Sequence, residues 1–387
     1  MRIAVFGGSF DPVHTEHIRV AKAAIESLAL DKLIVMPAHK PPHKPNKEMT
    51  SDEARLAMCR LAYGDFAKIE VSDYEIKRGG KSYTFLTCRH LRSLYKDAEI
   101  FFIVGTDMLR DFPTWKQPQD ILQNVTLAVC ARAEAAGWLE KERAKFLETF
   151  GCDFAVIDYN GEDVSSTKIR VLAGAGMRLT PLVDEKTEKY ILENGLYQIP
   201  FATSALALQS EKRKAHSLRV AYLAAKKAPA LQIPESKAIQ AALFHDCAKN
   251  LPLSSPLLQD FTPPENVPES VVHQFAGAYL AETKFGIEDQ DVLNAIRYHT
   301  SGRADMSALE KLVFLADMLE EERNFEGVDT LRALFWQENR GILPQNGLDE
   351  CLKEAFLQTL TFLKKKNADV YPLTQQAYDF IKNNEEN

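Results

Sequence analysis

The sequence predicts an α/β doubly wound parallel sheet followed by an all-α domain, and three observations carry that expectation. The chain has 387 residues, more than one hydrophobic core usually organises, since chains beyond about 250–300 residues split into domains. Up to about residue 198, short β-branched or aromatic runs alternate with amphipathic segments, the pattern of βαβ units around a parallel sheet. After Thr203 that alternation stops and long helical stretches take over. Glycine and proline punctuate the changeover at Gly195-Leu196-Tyr197-Gln198-Ile199-Pro200, so the expected domains are 1–198 and 204–387.

Taken in order, the strands are expected at 2–6, 32–36, 69–73, 99–104, 125–130 and 153–158. Between the first two, Ile18, Ala21, Ile25 and Leu28 recur at helical spacing, and 51–63, 82–95 and 138–149 also read as helices. Ligands of a doubly wound sheet bind outside the carboxyl ends of its strands. Three polar turns are expected to converge there: Gly7-Gly8-Ser9-Phe10 after the first strand, Gly105-Thr106-Asp107 after the fourth and Ser165-Ser166-Thr167 after the last. In the second domain helices are expected at about 204–227, 235–249, 268–284, 288–299, 307–322, 327–337 and 347–366. The Lys364-Lys365-Lys366 and Glu320-Glu321-Glu322 runs read as solvated helix faces. The tail after Asn383 is polar and is expected to fray.

Composition narrows the function classes. Lys and Arg number 47 against 54 Asp and Glu, a formal charge of -7, so neither nucleic acid nor an anionic membrane is an expected partner and phosphate binding must be local. Six scattered cysteines without a CxxC pair argue against a disulfide framework or a zinc-thiolate site and for a reducing cytoplasm. The apolar stretch after Arg2 is too short for a signal peptide, and no run reaches membrane-spanning length. The sequence leaves a homo-oligomer open.

The chemistry of the first domain starts at Gly7-Gly8-Ser9-Phe10-Asp11-Pro12-Val13-His14-Thr15-Glu16-His17. The glycines let the backbone approach an anion, and the helix beginning near His14 offers free amides to phosphate oxygens. His14 and His17, three apart, leave nearly the same face of its first turn. Late in the domain, Ser165-Ser166-Thr167-Lys168-Ile169-Arg170 places hydroxyls and a guanidinium at another helix start.

This pair of motifs resembles the HxGH nucleotidyltransferase superfamily. The intervening segments are similar to nicotinate-nucleotide adenylyltransferases: Pro37-Ala38-His39-Lys40-Pro41-Pro42-His43-Lys44, Ser82-Tyr83-Thr84, and Gly105-Thr106-Asp107-Met108-Leu109 with Phe112 and Trp115. The resemblance spans Met1 to about Tyr197. It implies ATP and nicotinate mononucleotide as substrates, with magnesium accompanying ATP. The expected catalytic groups are His14, His17 and Arg170. Gly8, Ser9, Phe10, Gly105, Asp107, Ser166, Thr167 and Arg132 would hold nucleotide, with Asp107 on the ribose. Lys44, Thr84 and Trp115 would contact the second substrate. Glu16 departs from the pattern, which has glycine there, and a side chain at that point is expected to crowd or repel the triphosphate. A rival reading is another adenylyl transferase, such as one acting on phosphopantetheine.

Four of the nine histidines fall in the helical half, as His216, His245, His273 and His299, with Asp246 and Asp317. Imidazole and carboxylate together suit iron, manganese, cobalt or zinc, and six such ligands can hold two ions that share a carboxylate. The series resembles HD-domain metal-dependent phosphohydrolases. His216-Ser217-Leu218-Arg219-Val220, His245-Asp246-Cys247-Ala248-Lys249, His299-Thr300-Ser301-Gly302 and the stretch 314–320 are similar to the YqeK-type subgroup. That resemblance, over about 205–370, implies symmetrical hydrolysis of diadenosine tetraphosphate to two ADP at a two-metal site, with iron the first choice and manganese or cobalt next. Arg219, Lys249, Arg303 and Arg323 are candidate phosphate clamps. A general nucleotide phosphohydrolase and a nucleotide sensor without turnover remain the rivals for this half.

Overall fold

The structure, a computed structural model, describes residues 1–42, 48–131, 136–159, 161–337 and 346–385. Its described residues separate into two compact units. The first runs from Met1 to Leu196 except for Asn46–Glu48 and Arg170–Arg178, and those residues belong with the second unit, which otherwise starts at Tyr197.

The first unit carries β1 (Arg2–Gly8), α1 (Thr15–Ser27), β2 (Lys32–Pro37), α2 (Asp52–Tyr63), β3 (Ile69–Val71), α3 (Tyr74–Arg78), α4 (Thr84–Leu94), β4 (Glu99–Gly105), α5 (Thr106–Asp111), α6 (Pro118–Asn124), β5 (Thr126–Ala131), α7 (Ala136–Phe150), β6 (Ala155–Asp158), α8 (Ser166–Gly174) and α9 (Glu185–Glu193). The six strands form one sheet in the order β3-β2-β1-β4-β5-β6, and every pairing is parallel. Chain order reverses between β1 and β4, whose register pairs Ile3 with Ile100 and Val5 with Phe102. The connections after these two neighbours therefore leave in opposite senses and open a crevice at their carboxyl ends. Central strands covered on both faces need continuous apolar runs, and Ile3, Ala4, Val5, Ile100, Phe101, Phe102, Ile103 and Val104 are all buried.

The second unit is helical among its described residues: α10 (Ala202–Ala207), α11 (Glu211–Lys227), α12 (Glu235–Phe244), α13 (Glu269–Thr283), α14 (Gln290–Arg297), α15 (Ala308–Leu319), α16 (Val328–Trp336), α17 (Asp349–Lys365) and α18 (Pro372–Glu385). No described helix is long and apolar enough to cross a membrane.

In the second unit, three elements differ from the sequence expectation. The helix expected over 204–227 is two, because Ser210 accepts the Arg213 amide and starts α11 afresh. The helix expected over 235–249 stops at Phe244, and His245 and Asp246 lie in the turn beyond it. The last helix, α18, was not expected. Proline suits its first position, lacking only an N–H that has no helical partner there, and Ala377 and Ile381 bury its inner face.

Candidate functional site

The first candidate centre forms where β1 runs out. Gly8 is tightly enclosed: a Cβ there would meet the Phe10 ring at 3.1 Å. His14 caps α1, and its backbone N–H donates to Nδ1 of His17 at 3.2 Å. That bond occupies Nδ1 of His17 as acceptor, so the neutral ring carries its proton on Nε2. The two imidazoles lie 3.7 Å apart between centroids. Burial pulls the His14 pKa down to about 4. Its Nδ1 is buried without a hydrogen-bond partner, the kind of group that an incoming ligand satisfies.

The start of α8 meets this turn directly, because the Ser166 hydroxyl donates to the Pro12 carbonyl at 3.0 Å. Gly105 and Asp107 stand at the end of β4, beside β1, with Asp107 strongly exposed. Arg170 departs from its expected role. It is buried, and its Nε and Nη2 donate to the two Glu235 oxygens at 2.7 and 2.8 Å. Lys44 and Arg132 lie outside the described residues.

Glu16 does not obstruct the turn as expected. Its carboxylate is buried and turned toward the segment after β6, where it accepts from the Tyr159 hydroxyl, from the Glu162 amide at 3.0 Å and from Arg19 at 2.8 Å. A second residue invisible in the sequence pattern is Arg55, fully buried on α2, which donates to the carbonyls of Ser9 at 2.8 Å and Thr50 at 3.1 Å. It fixes the backbone of the glycine turn from beneath.

Thr84 and Trp115 line a separate cleft of about 250 Å³, with Tyr83 and Lys116 on its wall. Lys116 Nζ sits 4.4 Å from the Tyr83 ring centroid. Trp115 is mostly packed, against Phe112 and the edge of Phe102, so only part of the indole faces the cleft. Next to Tyr83, the Ser82 hydroxyl accepts from the His39 amide at 2.9 Å.

The second candidate centre gathers all six expected ligands. His245 and His299 donate from Nδ1 to the carbonyls of Ala242 (2.6 Å) and Ile296 (2.8 Å). Carbonyls only accept, so both rings turn a bare Nε2 inward. Those atoms lie 3.4 and 3.5 Å from Asp246 oxygens, and His245 Nε2 has no hydrogen-bond partner. His216 faces carboxylates through both nitrogens, Nδ1 to Glu320 at 3.1 Å and Nε2 to Asp317 at 2.8 Å. A neutral imidazole can donate only once. Lone pairs set against carboxylate oxygens are reconciled by a cation, and the donors fall into two sets with that reach: His216, His245 and Asp317, and His245, Asp246 and His299. This donor set fits divalent ions of borderline softness. His273 Nε2 joins at 3.4 Å from Asp246 and 3.2 Å from His299, and burial, then His299 and Lys249, pull its pKa down to about 2. Burial alone would raise the carboxyls. His245 and His299 nonetheless hold Asp246 well below its usual range, and His216 and His245 do the same for Asp317.

Two of the ligands sit where α12 ends. His245 still has helical dihedrals there, so it and Asp246 reach the centre from the end of the helix, about 100° apart, and the Ala242 carbonyl takes the His245 ring.

The candidate clamps fare differently. Lys249 Nζ reaches His273 at 3.1 Å and Arg323 Nη2 reaches Asp317 at 2.6 Å. Arg219 is held by Glu320 and Glu322. Arg303 corrects its expectation: Nε and Nη2 go to Glu310 at 2.7 and 2.8 Å and Nη1 to the Ala304 carbonyl, so it braces the start of α15.

Three supporting residues were missed. Glu320, read as part of a solvated run, is 3 % exposed and holds His216 and Arg219. Arg213 donates to Asp246 at 2.7 Å. Gln274 accepts from the Thr300 and Ser301 amides at 3.0 Å and so fixes the turn after His299. Gly302 closes that turn at φ +65°, where a Cβ would strike the Phe356 ring at 2.4 Å.

Residues 5–172 match the cytidylyltransferase-like family and residues 213–322 the HD domain. A Mycoplasma genitalium protein named a probable nicotinate-nucleotide adenylyltransferase/Ap4A hydrolase is 32% identical over 330 residues, covering 84% of this chain and 89% of that protein. A probable nicotinate-nucleotide adenylyltransferase of Clostridium tetani is 36% identical over 196 residues, 50% of this chain and 98% of its own. Among solved structures, a protein described as a predicted HD superfamily hydrolase involved in NAD metabolism from Clostridium acetobutylicum aligns at 32% identity with a TM-score of 0.41, covering 47% of this chain and 96% of that one.

Proposed function

Because the chain belongs to the nicotinate-nucleotide adenylyltransferase/Ap4A hydrolase family, we propose that it joins two phosphate-directed enzymes. The first unit transfers adenylyl from ATP to nicotinate mononucleotide, giving nicotinate adenine dinucleotide and pyrophosphate. The second splits diadenosine tetraphosphate into two ADP. The observation that carries the reading is similarity that runs through both units.

The transfer needs no protein nucleophile: the mononucleotide phosphate attacks the α-phosphorus of ATP and pyrophosphate leaves. Positioning and charge neutralisation then do the catalysis. His17 serves as a donor through Nε2–H, the tautomer set by its bond from the His14 amide. His14 offers its unpartnered Nδ1, and Ser9, Thr167 and the amides of α1 and α8 cradle phosphate oxygens. Asp107 takes the ATP ribose, while Thr84 and the exposed part of Trp115 take the pyridine ring. Magnesium accompanies ATP.

In the second unit, His216, His245, Asp246, His273, His299 and Asp317 hold two divalent ions, iron foremost. Such ions acidify water and neutralise phosphate charge. The residues around them orient the substrate: Lys249 and Arg323 stand within reach of the cluster to bind polyphosphate oxygens. Arg213 and Glu320 fix Asp246 and His216 in place. The reading places the enzyme in the cytoplasm.

The test uses the full chain and two assays, pyrophosphate release from ATP with nicotinate mononucleotide and ADP formation from diadenosine tetraphosphate. His17→Ala should depress turnover in the first far more than nucleotide affinity and leave the second intact; Asp246→Ala should do the reverse. Near-normal transferase turnover in His17→Ala, or hydrolysis surviving Asp246→Ala, overturns the corresponding half.

A further inference from the structure

The cleft of about 250 Å³ in the first unit is walled by Tyr83, Thr84, Trp115 and Lys116. Pockets for drug-sized ligands begin at about 300 Å³, so this one suits a single ring rather than a whole nucleotide. Lys116 is the one charged residue of its described lining. The side chain is exposed, and its Nζ stands 4.4 Å from the ring centroid of Tyr83 and 5.9 Å from that of Phe85. Those two residues flank Thr84, the first residue of α4. The ammonium therefore stands over the first turn of that helix.

The charge at this place has one sign. The first turn of α4 holds no acidic residue, and Tyr83 before it makes no side-chain capping bond, so the leading amides add to the positive potential. The acid that follows Lys116 in the chain, Asp120 in the first turn of α6, is bound by Arg89 Nε at 2.8 Å. Among the described residues no carboxylate pairs with Lys116, whose cation rests on aromatic faces. An aromatic wall with a lone cation at one end is the chemistry that recognises a planar ring bearing a carboxylate.

We propose that Lys116 selects the acid form of the mononucleotide: with the pyridine ring against Trp115, its ammonium pairs with the ring carboxylate at the start of α4. The inference rests on the adenylyl-transfer reading above and adds to it the residue that tells nicotinate from nicotinamide. A carboxamide carries no net charge and gains no ion pair from the ammonium. An exposed contact between a cation and an aromatic face is weak, so Lys116 turns to a carboxylate without giving up an ion pair of its own.

The experiment measures pyrophosphate release by the full chain at saturating ATP, with nicotinate mononucleotide as substrate and nicotinamide mononucleotide as competitor. An ion pair in a half-open cleft is worth roughly 5- to 10-fold in affinity. Lys116→Met, which keeps the apolar stem, should raise KM for the acid by about that factor, change kcat less than about twofold and leave the inhibition constant of the amide unchanged, while Lys116→Arg keeps the wild-type preference. An unchanged KM for the acid, or equal weakening of acid and amide, overturns the assignment. If the wild-type chain releases no pyrophosphate with the acid, the adenylyl-transfer reading falls instead. Lys116 is then judged by calorimetric titration of both mononucleotides: tighter binding of the acid that is lost in Lys116→Met supports it, and no preference, or one that survives the substitution, overturns it.

Discussion

Replacing Glu320 with glutamine tests whether a residue outside the ligand set governs metal holding. The carboxylate accepts from His216 Nδ1 at 3.1 Å, Arg219 Nε at 2.5 Å and the Glu322 amide at 2.9 Å. All three are donors. A carboxamide of the same shape offers one oxygen and turns its NH2 toward one of them. If the lost partner is His216, nothing keeps that proton on Nδ1, and Nε2 no longer presents its lone pair toward Asp317. A hydrogen bond to a charged group is worth about 1.5–3 kcal/mol. Loss of an outer partner of a metal-bound histidine costs about 10- to 100-fold in affinity, which converts to about 1.4–2.7 kcal/mol. The two ranges agree. Chelator competition on the full-length Glu320→Gln protein should therefore show metal affinity reduced by about 10- to 100-fold, with adenylyl transfer unchanged as evidence of intact folding. Metal affinity within twofold of wild type refutes the reasoning.

Glu16→Gly, which restores the residue the nucleotidyltransferase pattern has there, should destabilise the first unit by about 1–3 kcal/mol, because the Tyr159 hydroxyl and Glu162 amide lose their acceptor; a raised melting temperature contradicts it. Since His14 titrates at about 4 when folded and near 6.5 when unfolded, the unfolded chain alone takes up that proton as pH falls from about 6.5 to 4. Stability should then drop by up to about 1.4 kcal/mol per pH unit, and thermal unfolding of His14→Asn against wild type at pH 7 and 5 should lack this component. Of the six thiols, Cys59, Cys88, Cys247 and Cys351 are buried, and burial raises the pKa of each. A thiol reagent should modify no more than Cys130 and Cys152 in the native protein, and a third fast-reacting thiol counts against the packing.

The sheet was legible because its strands are continuous apolar runs set apart by amphipathic helices, and all six lie where the pattern places them. Edges were less so: β3 ends at Val71, since Ser72 and Asp73 already lead into α3. The six candidate metal ligands could be read because the helical half has four histidines and all four are among them. Their supports could not. Glu320 sits in a run of three glutamates and differs from its neighbours only in that α15 ends beside it and turns its carboxylate inward. Arg55 reads as one more charge on an amphipathic helix, and only the fold brings the Ser9 carbonyl to it. Arg170 and Arg303 carried the chemistry of phosphate clamps in sequence, yet each met a carboxylate, Glu235 and Glu310, that no spacing rule links to it.

The contact between Glu16 and Tyr159 has a consequence for descent. The two residues are separated by 143 positions in the chain, and a change at Glu16 removes the acceptor shared by the Tyr159 hydroxyl and the Glu162 amide, whereas a change at Tyr159 leaves the carboxylate its bonds from Glu162 and Arg19. Glycine at the first position would leave the phenol without this acceptor, so the acid and the tyrosine are expected to occur together among relatives. A motif search that demands glycine between the histidines would pass over this chain, whereas one that accepts an acid there would find it.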